Sequence, residues 1–521
     1  MSQQTPEIGG PFAYPAAVRN VPASTIEELD AALQTLQQHK ARWVKCPLEE
    51  RMAYLEIMIH DFAVAAPGWV ERVVVAQKLA GNDHAIGYEW VQGPYSLLRN
   101  LQCLKSSLRD IRKQGVPRIP GRVTLRRNGQ VSARVFPQTL YDRLLFKGYR
   151  ADVWMEPDVT PGNLRETQAL AYRSPDPEGT VSLVLGAGNV SSIPPTDVLD
   201  RLLIHNQVVV LKLSPVNDYL GPVFAQGFRC LIEAGYLRIV YGGAGEGAYL
   251  CQHPAVEQIL ITGSDKTFEA IVFGTGEEGR LRKREGRPFL RKPIAGELGN
   301  VTPVIVIPGP WSQKDLEYQA EYLATWIAGS ASATCNTPRV LILHTEWPQR
   351  AAFLDALRQC FAGIPPKHAF YPGSQQRYQT ILAAHPDAER IGHHRKEDLA
   401  WTLIPEVDIQ DRNDICLATE SFCSVLAVAP ISADGIPEYL ERAVEFCNHT
   451  LWGTLLAGLV VHPNSLKDAS VRAAFEKAIE QLRYGTVSVG AGGLNWCMMT
   501  TPWGAFPGSR LSDIQSGNGF V

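Results

Sequence analysis

The sequence predicts an α/β fold built on parallel sheets, and three observations carry that prediction. Short, almost wholly apolar runs recur along the chain, as in Thr180-Val-Ser-Leu-Val-Leu185, Gln207-Val-Val-Val-Leu-Lys-Leu213, Leu237-Arg-Ile-Val240 and Val256-Glu-Gln-Ile-Leu-Ile261. Helical lengths separate these runs, as in a parallel sheet covered on both faces. Their carboxyl ends carry Gly188-Asn189, Lys212, Gly242-Gly243-Ala-Gly245 and Thr262-Gly263-Ser264, where such sheets bind ligands.

Taken in order, the first hundred residues read as helices. Ser24-Thr-Ile-Glu27 has the form of a capping box, and Ile26, Leu29, Leu33 and Leu36 follow at helical spacing. Further helices are expected over 48–63, 69–79 and 88–112, broken at Pro47, at Pro67-Gly68 and at 80–83. From Gly121 the pattern becomes two alternating runs joined through Asn128-Gly129, a strong hairpin signal. A second α/β unit follows Glu297, with apolar runs at 303–307, 424–429, 455–461 and 484–489 and a Gly/Pro-rich tail. No internal repeat or low-complexity segment interrupts it.

Composition narrows the function classes. A chain of 521 residues exceeds one ordinary core, so about two to four domains are expected. The apolar share of 45% and charged share of 20% are those of a globular protein. A net charge of −3 with no long basic block argues against a nucleic-acid partner. The brief basic clusters at 122–127 and 280–284 read as solvated faces. The first residues lack an apolar signal segment, and no apolar run approaches the ~20 residues of a membrane span. Ten scattered cysteines without a CxxC pair speak against a disulfide framework or a zinc site, and for a cytoplasmic location.

One of those cysteines stands apart. In Gly329-Ser-Ala-Ser-Ala-Thr-Cys335-Asn-Thr-Pro-Arg339, small residues let a backbone approach a ligand closely, and the apolar run after Arg339 would hold the thiol. Alone, the same pattern also suits a packed structural cysteine. Its neighbours in the chain change the balance. Gly179-Thr-Val-Ser-Leu-Val-Leu-Gly-Ala-Gly-Asn189, Leu211-Lys212-Leu-Ser-Pro215, Ile261-Thr-Gly263-Ser264, Glu297-Leu-Gly-Asn-Val-Thr-Pro303, Thr419-Glu420-Ser-Phe422 and Pro502-Trp-Gly504 occur in that order. Together they resemble the motifs of the aldehyde dehydrogenase superfamily, over residues 171–509.

The resemblance implies a Rossmann-type cofactor domain, an α/β catalytic domain and a small β oligomerisation arm. The expected division is 1–120 with 170–297 for the cofactor, 121–169 for the arm, 298–488 for catalysis and 489–521 for a returning tail. It also implies roles. Cys335 would be the nucleophile toward an aldehyde, and Asn189 with the Cys335 backbone N–H would bind the oxyanion. Glu297 would activate the water that releases a carboxylic acid. NAD or NADP would lie on Lys212, Gly243, Gly263, Ser264, Glu420 and Phe422. A homodimer or homotetramer is implied as well.

The chain departs from the family pattern in places. Pro215 stands where NAD-preferring members carry Glu, which removes repulsion toward a 2′-phosphate and opens NADP use. Phe268 replaces a glycine near the expected pyrophosphate site, and the lead into Cys335 is unusual. Two rival readings follow: a CoA-acylating dehydrogenase or acyl-CoA reductase, and an inactive scaffold of the same fold. CoA-acylating relatives generally lack the general-base carboxylate, so Glu297 favours hydrolysis. The five residues Asn189, Lys212, Glu297, Cys335 and Glu420 speak against an idle scaffold. Trp496, Met498, Met499, Trp503 and Phe506 read as an apolar mouth to the aldehyde site or as core.

Overall fold

An amino-terminal layer of helices supports the first sheet. Helix α1 (Ile26–Val44) starts at Thr25, whose Oγ1 accepts the Glu28 N–H at 3.2 Å while the Glu28 carboxylate accepts the Thr25 N–H at 2.8 Å. The capping box is thus one residue later than the sequence pattern suggested. Ser24 is engaged elsewhere: its N–H donates to the Tyr241 carbonyl at 3.0 Å, and its Oγ accepts the Tyr241 N–H at 3.1 Å.

Helix α2 (Leu48–Ala76) runs unbroken through Pro67, correcting the expected break. Leu55, Met58, Phe62, Ala65, Ala66, Trp69 and Val73 keep one buried stripe on both sides of the proline, whereas Pro67 faces solvent. The backbone carbonyl its ring leaves unpaired can therefore be satisfied by water. Each large side chain in that stripe contributes about 1.5–3 kcal/mol when fully buried, enough to offset a proline.

The helix expected over 88–112 is also different. It begins earlier, as α3 (Asp83–Trp90) capped by Asn82, and continues as α4 (Ser96–Gln114). Between them Val91–Tyr95 forms a π turn containing Pro94. Such turns widen a helix to re-aim side chains, and periodicity alone does not reveal them.

The computed structural model describes residues 21–392, 398–490, 492 and 498–520, among which three sheets are formed. The first is an antiparallel arm of β1 (Val123–Leu125), β2 (Val131–Phe136) and β3 (Ala151–Trp154), in that order. Its β1–β2 turn has Gly129 at φ +84°, as an Asn-Gly turn requires. Arg126 is no solvated charge: its guanidinium lies 3.6 Å from the centre of the Trp154 ring and 2.8 Å from Glu480.

The second sheet holds β4 (Val181–Leu185), β5 (Val208–Lys212), β6 (Leu237–Val240), β7 (Gln258–Thr262) and β8 (Ile294–Glu297). Its order is β6-β5-β4-β7-β8, all parallel, so the chain reverses direction across the sheet beside β4. That switch point opens a crevice at the carboxyl ends of β4 and β7.

The third sheet contains β9 (Thr302–Val306), β10 (Pro338–His344), β11 (Glu389–Ile391), β12 (Trp401–Ile404), β13 (Val425–Ile431), β14 (Leu456–Val460) and β15 (Thr486–Val489). The order is β11-β12-β13-β10-β9-β14-β15, and β11 is the antiparallel edge. Strands β9, β10 and β14 are buried throughout, which explains why their sequences do not alternate. The tail then crosses back: Gly517 bridges Glu297, and the Leu298 N–H donates to the Ser516 carbonyl at 2.8 Å. Among the described residues no helix is long and apolar enough to cross a membrane.

Candidate active site

The loop that carries Cys335 has an unusual backbone. After the helix Gln313–Ala328, residues Ser330, Ala331 and Ser332 take φ values of 44°, 53° and 62°. Three successive non-glycine residues in the left-handed region cost about 1–3 kcal/mol each unless the surroundings hold them. Here they do. The Gln92 side-chain amide, aimed inward by the π turn, donates to Ser330 Oγ at 2.9 Å. Ser332 Oγ donates to the Ile327 carbonyl at 2.7 Å. Small side chains in this run therefore serve the backbone conformation as well as access to the thiol.

Beneath the loop lies Arg339, buried at 3% exposure. Its guanidinium donates to the carbonyls of Ser332 (2.6 Å), Thr334 (3.3 Å) and Cys423 (2.9 Å). Asn189 comes from the turn after β4, and its Nδ2 donates to the Ala333 carbonyl at 3.0 Å. Cys335 follows, half-buried and packed against Leu455, Leu456 and Trp503.

Two carboxylates, Glu297 and Glu420, lie beside this thiol, and a third, Asp197, lies near Glu297. Glu297, the last residue of β8, is 2% exposed, and its Oε1 accepts the Trp503 indole N–H at 3.1 Å. Burial, and then the nearby Asp197 charge, raise its pKa to about 8, and it hydrogen-bonds the Cys335 thiol. Asp197, on the helix Ile193–Leu199, is also raised by burial to about 8. Its Oδ2 accepts the Thr262 hydroxyl at 2.8 Å, while its Oδ1 has no hydrogen-bond partner. Glu420 is raised by burial to about 7, and its Oε1 accepts the Asn300 N–H at 3.1 Å. Burial, with Glu297 and Glu420 beside it, pushes the Cys335 thiol well above its ordinary pKa. At neutral pH the thiol rests protonated, in contact with a carboxyl group that ionises near pH 8.

The remaining expected residues lie at the strand ends. Lys212 closes β5 and is buried, with its Cε 4.0 Å from the position a Cβ on Gly247 would occupy. Gly243 precedes the helix Ala244–Gln252, but its N–H donates to the Glu246 carboxylate at 2.6 Å. Gly263 ends exposed beside β7, and Ser264 caps the helix Asp265–Phe273 through the Thr267 N–H at 3.1 Å. Phe268 turns inward with Ile261, Val272, Phe273, Leu298 and Ile514, against Gly296, and leaves the Ser264 end clear. Phe422 has a left-handed φ of 48°, its ring centre lies 4.7 Å from that of Tyr371, and its carbonyl accepts from Arg377 at 3.4 Å. The structure brings Asn189, Glu297, Cys335 and Glu420 into one cluster. Lys212, Gly243, Gly263 and Ser264 form a rim on the second sheet.

Of the residues read as an apolar mouth, Trp496 lies outside the described residues. Trp503 is instead a donor to Glu297, Met498 is buried, and Phe506 is exposed. Asp197 was not anticipated; a carboxylate within an otherwise apolar helix, after Pro194-Pro195-Thr196, is the only sequence signal it gives.

The aldehyde dehydrogenase family profile matches residues 156–377, a stretch that includes Asn189, Glu297 and Cys335. The chain is 32% identical over 342 residues to aminoaldehyde dehydrogenase 2, peroxisomal, of Malus domestica, covering 62% of this chain and 58% of that protein. It is 25% identical over 298 residues to N-succinylglutamate 5-semialdehyde dehydrogenase of Novosphingobium aromaticivorans, covering 57% and 58%. These matches support membership of the aldehyde dehydrogenase superfamily. The matched stretches span little more than half the length of these two relatives. The fold likeness extends further. A mutant aldehyde dehydrogenase of Pseudomonas syringae, solved with NAD+ and octanal, superposes with a TM-score of 0.63 at 16% identity, over 97% of this chain and 89% of that one. An NADP-dependent glyceraldehyde-3-phosphate dehydrogenase of Bacillus halodurans, solved with NADP, gives 0.62 at 16% identity, over 98% and 91%.

The buried carboxylates have a consequence for stability. Glu297 has a folded pKa of about 8, against ~4.3 in an unfolded chain. Between those values the folded state binds more protons, so its contribution is full at low pH and is lost as pH rises through about 8. Glu297→Gln stays neutral throughout. Its melting temperature is therefore expected to fall less than that of the wild type between about pH 6 and about pH 9, as calorimetry at both pH values would measure.

Proposed function

We propose that the protein oxidises an aldehyde to a carboxylic acid with a nicotinamide dinucleotide, through a covalent adduct on Cys335. The observation that carries this reading is the contact between the Cys335 thiol and the Glu297 carboxylate, with Trp503 donating to the same carboxylate. A base raised to about 8 is matched to accepting a thiol or water proton near neutral pH.

In this reading Glu297 accepts the thiol proton and the Cys335 sulfur adds to the aldehyde carbon. The carbonyl oxygen gains the negative charge. An amide nitrogen carries two N–H groups. One on Asn189 is committed to Ala333, so the other, with the Cys335 backbone N–H, is the oxyanion donor. When bound, the dinucleotide supplies the hydride acceptor. Cys335 is left as a thioester. Glu297 passes the thiol proton to solvent and then takes a proton from water. The resulting hydroxide adds to the acyl carbon, the carbon–sulfur bond breaks to free the acid, and the departing thiolate regains a proton from Glu297.

The strand-end residues fit such a dinucleotide. A Cβ on Gly245 would meet nothing within 4 Å, and one on Gly243 nothing nearer than 3.8 Å, so this rim is open beside buried Lys212. Glu420 and Phe422 hold the opposite side. Pro215 removed one carboxylate from the lysine end, but Glu246 supplies another in the first turn of the adjoining helix. We read this as favouring NAD over NADP, by repulsion of a 2′-phosphate. Exposed Leu140, Leu144 and Leu145 next to the antiparallel arm support self-association as a homodimer or homotetramer.

Incubating the protein with a panel of aldehydes and NAD or NADP, with and without CoA, tests the reaction. Acid formed without CoA is the expected product; acyl-CoA alone would overturn the hydrolytic reading, and no turnover would favour a scaffold. Cys335→Ala should lower kcat by at least about a thousandfold. Glu297→Gln should slow deacylation by about 10²–10⁴-fold and leave a thioester visible by intact mass.

Asp197 raises the Glu297 pKa, so Asp197→Asn should lower it. The acidic limb of the kcat–pH profile is expected to move to lower pH, and an unmoved limb would remove Asp197 from this role. For the cofactor, wild-type kcat/KM should be higher with NAD than with NADP. Glu246→Gln should narrow that ratio by about tenfold, the equivalent of ~1.4 kcal/mol.

A further inference from the structure

Away from the Cys335 cluster, His385, Asp414 and Cys416 converge on one point, with all their donor atoms within 4.8 Å of one another. His385 ends the helix Ser374–Ala384, and Asp414 caps the short helix Ile415–Ala418, which contains Cys416. The His385 Nε2 lies 3.3 Å from Asp414 Oδ1 and 3.6 Å from Cys416 Sγ. Both acidic partners thus face the same ring nitrogen.

That arrangement is poor for a hydrogen-bonded relay. In a catalytic triad the carboxylate orients the imidazole through one nitrogen while the thiol uses the other. A neutral Nε2 has either one N–H or one lone pair. It can therefore satisfy the carboxylate or the thiol in full, but not both.

A single metal ion satisfies all three. We propose that His385, Asp414 and Cys416 form a binding site for one zinc-class divalent cation. With metal–nitrogen and metal–oxygen bonds of about 2.0–2.1 Å, a metal–sulfur bond of about 2.3 Å and tetrahedral angles, the edges come to about 3.3 Å for N···O and about 3.5 Å for N···S. The observed 3.3 Å and 3.6 Å are those edges. Mixed N, O and S donors select zinc and its neighbours over magnesium or calcium. The His385 and Asp414 side chains are 12% and 10% exposed, which leaves an opening for water as the fourth ligand. Binding displaces the Cys416 thiol proton to solvent. Asp414 Oδ1 also accepts the Cys416 N–H at 2.8 Å, which fixes the carboxylate in the ligand direction.

The placement gives the site a structural role. Residues 419–422 follow directly, and Arg377, from the same helix that ends at His385, donates to the Ser421 carbonyl at 2.9 Å. A cation would fasten the other end of that helix to the lead into Glu420 and Phe422.

The sequence argued against zinc because its scattered cysteines include no CxxC pair. Asp414 and Cys416 are two apart, but the third ligand is 29 residues earlier in the chain, at His385, and joins them only in the folded protein.

Chelator-stripped, full-length protein titrated anaerobically with Co2+ tests the proposal. One equivalent should bind, with the visible bands of tetrahedral cobalt and a near-ultraviolet sulfur-to-cobalt charge-transfer band, and zinc should displace it. Cys416→Ser should abolish the charge-transfer band, and His385→Gln should weaken binding by more than about tenfold. Should Cys416→Ser fail to fold, His385→Gln decides. Cys335→Ala, which removes the thiol beside Glu297 and Glu420, should keep the band. No stoichiometric uptake, uptake without a thiolate band, or a band lost in Cys335→Ala but kept in Cys416→Ser would each overturn the proposal.

Discussion

A buried guanidinium beneath the cysteine loop is the contact on which the site depends. Arg339 donates to carbonyls of two separate segments, Ser332 and Thr334 at the end of the cysteine loop and Cys423 in the strand lead. Without it both segments would lose buried hydrogen-bond partners, at about 1–3 kcal/mol for each unsatisfied group. The same cation lies among carboxylates whose charge has to be held in a dry interior. It lowers the pKa of Glu420, against the larger effect of burial. A strained backbone, a buried cation and a protonated thiol are thus parts of one electrostatic arrangement.

That arrangement sorts the carboxylates by role. Glu297 touches the thiol and an indole N–H, so its position is fixed while one face stays available for chemistry. Asp197 sits behind it, joined to Thr262, which pairs with Glu297 across the β7–β8 ladder. Its charge is one cause of the raised Glu297 pKa, second to burial. Glu420 accepts the Asn300 N–H and lies beside both the thiol and Arg339.

Much of this was legible in the chain. The apolar runs gave β4, β5, β6 and β7 nearly to the residue, because fully buried parallel strands need continuous apolar sequence. Asn128-Gly129 gave the hairpin through a backbone requirement. Glu297 and Cys335 were visible as motif residues, but their mutual contact was not, since it joins strand end to loop across two sheets. The π turn at 91–95 was hidden, because helical periodicity does not distinguish it and its purpose, aiming Gln92 at Ser330, lies in another segment. Pro67 misled for a related reason: the rule for proline in helices is local, whereas the buried stripe that overrode it is tertiary. Arg339 and Trp503 carried no local sign of their hydrogen bonds.

The return of the tail bears on how the protein is made. Glu297 and its Trp503 donor are separated by 206 positions, and Gly517 pairs with the Glu297 strand later still. On a ribosome the thiol and its base are synthesised well before the segment that seats them. The nascent chain therefore carries an unfinished site over the 206 positions that separate Glu297 from Trp503, and the carboxylate gains its indole donor only after them.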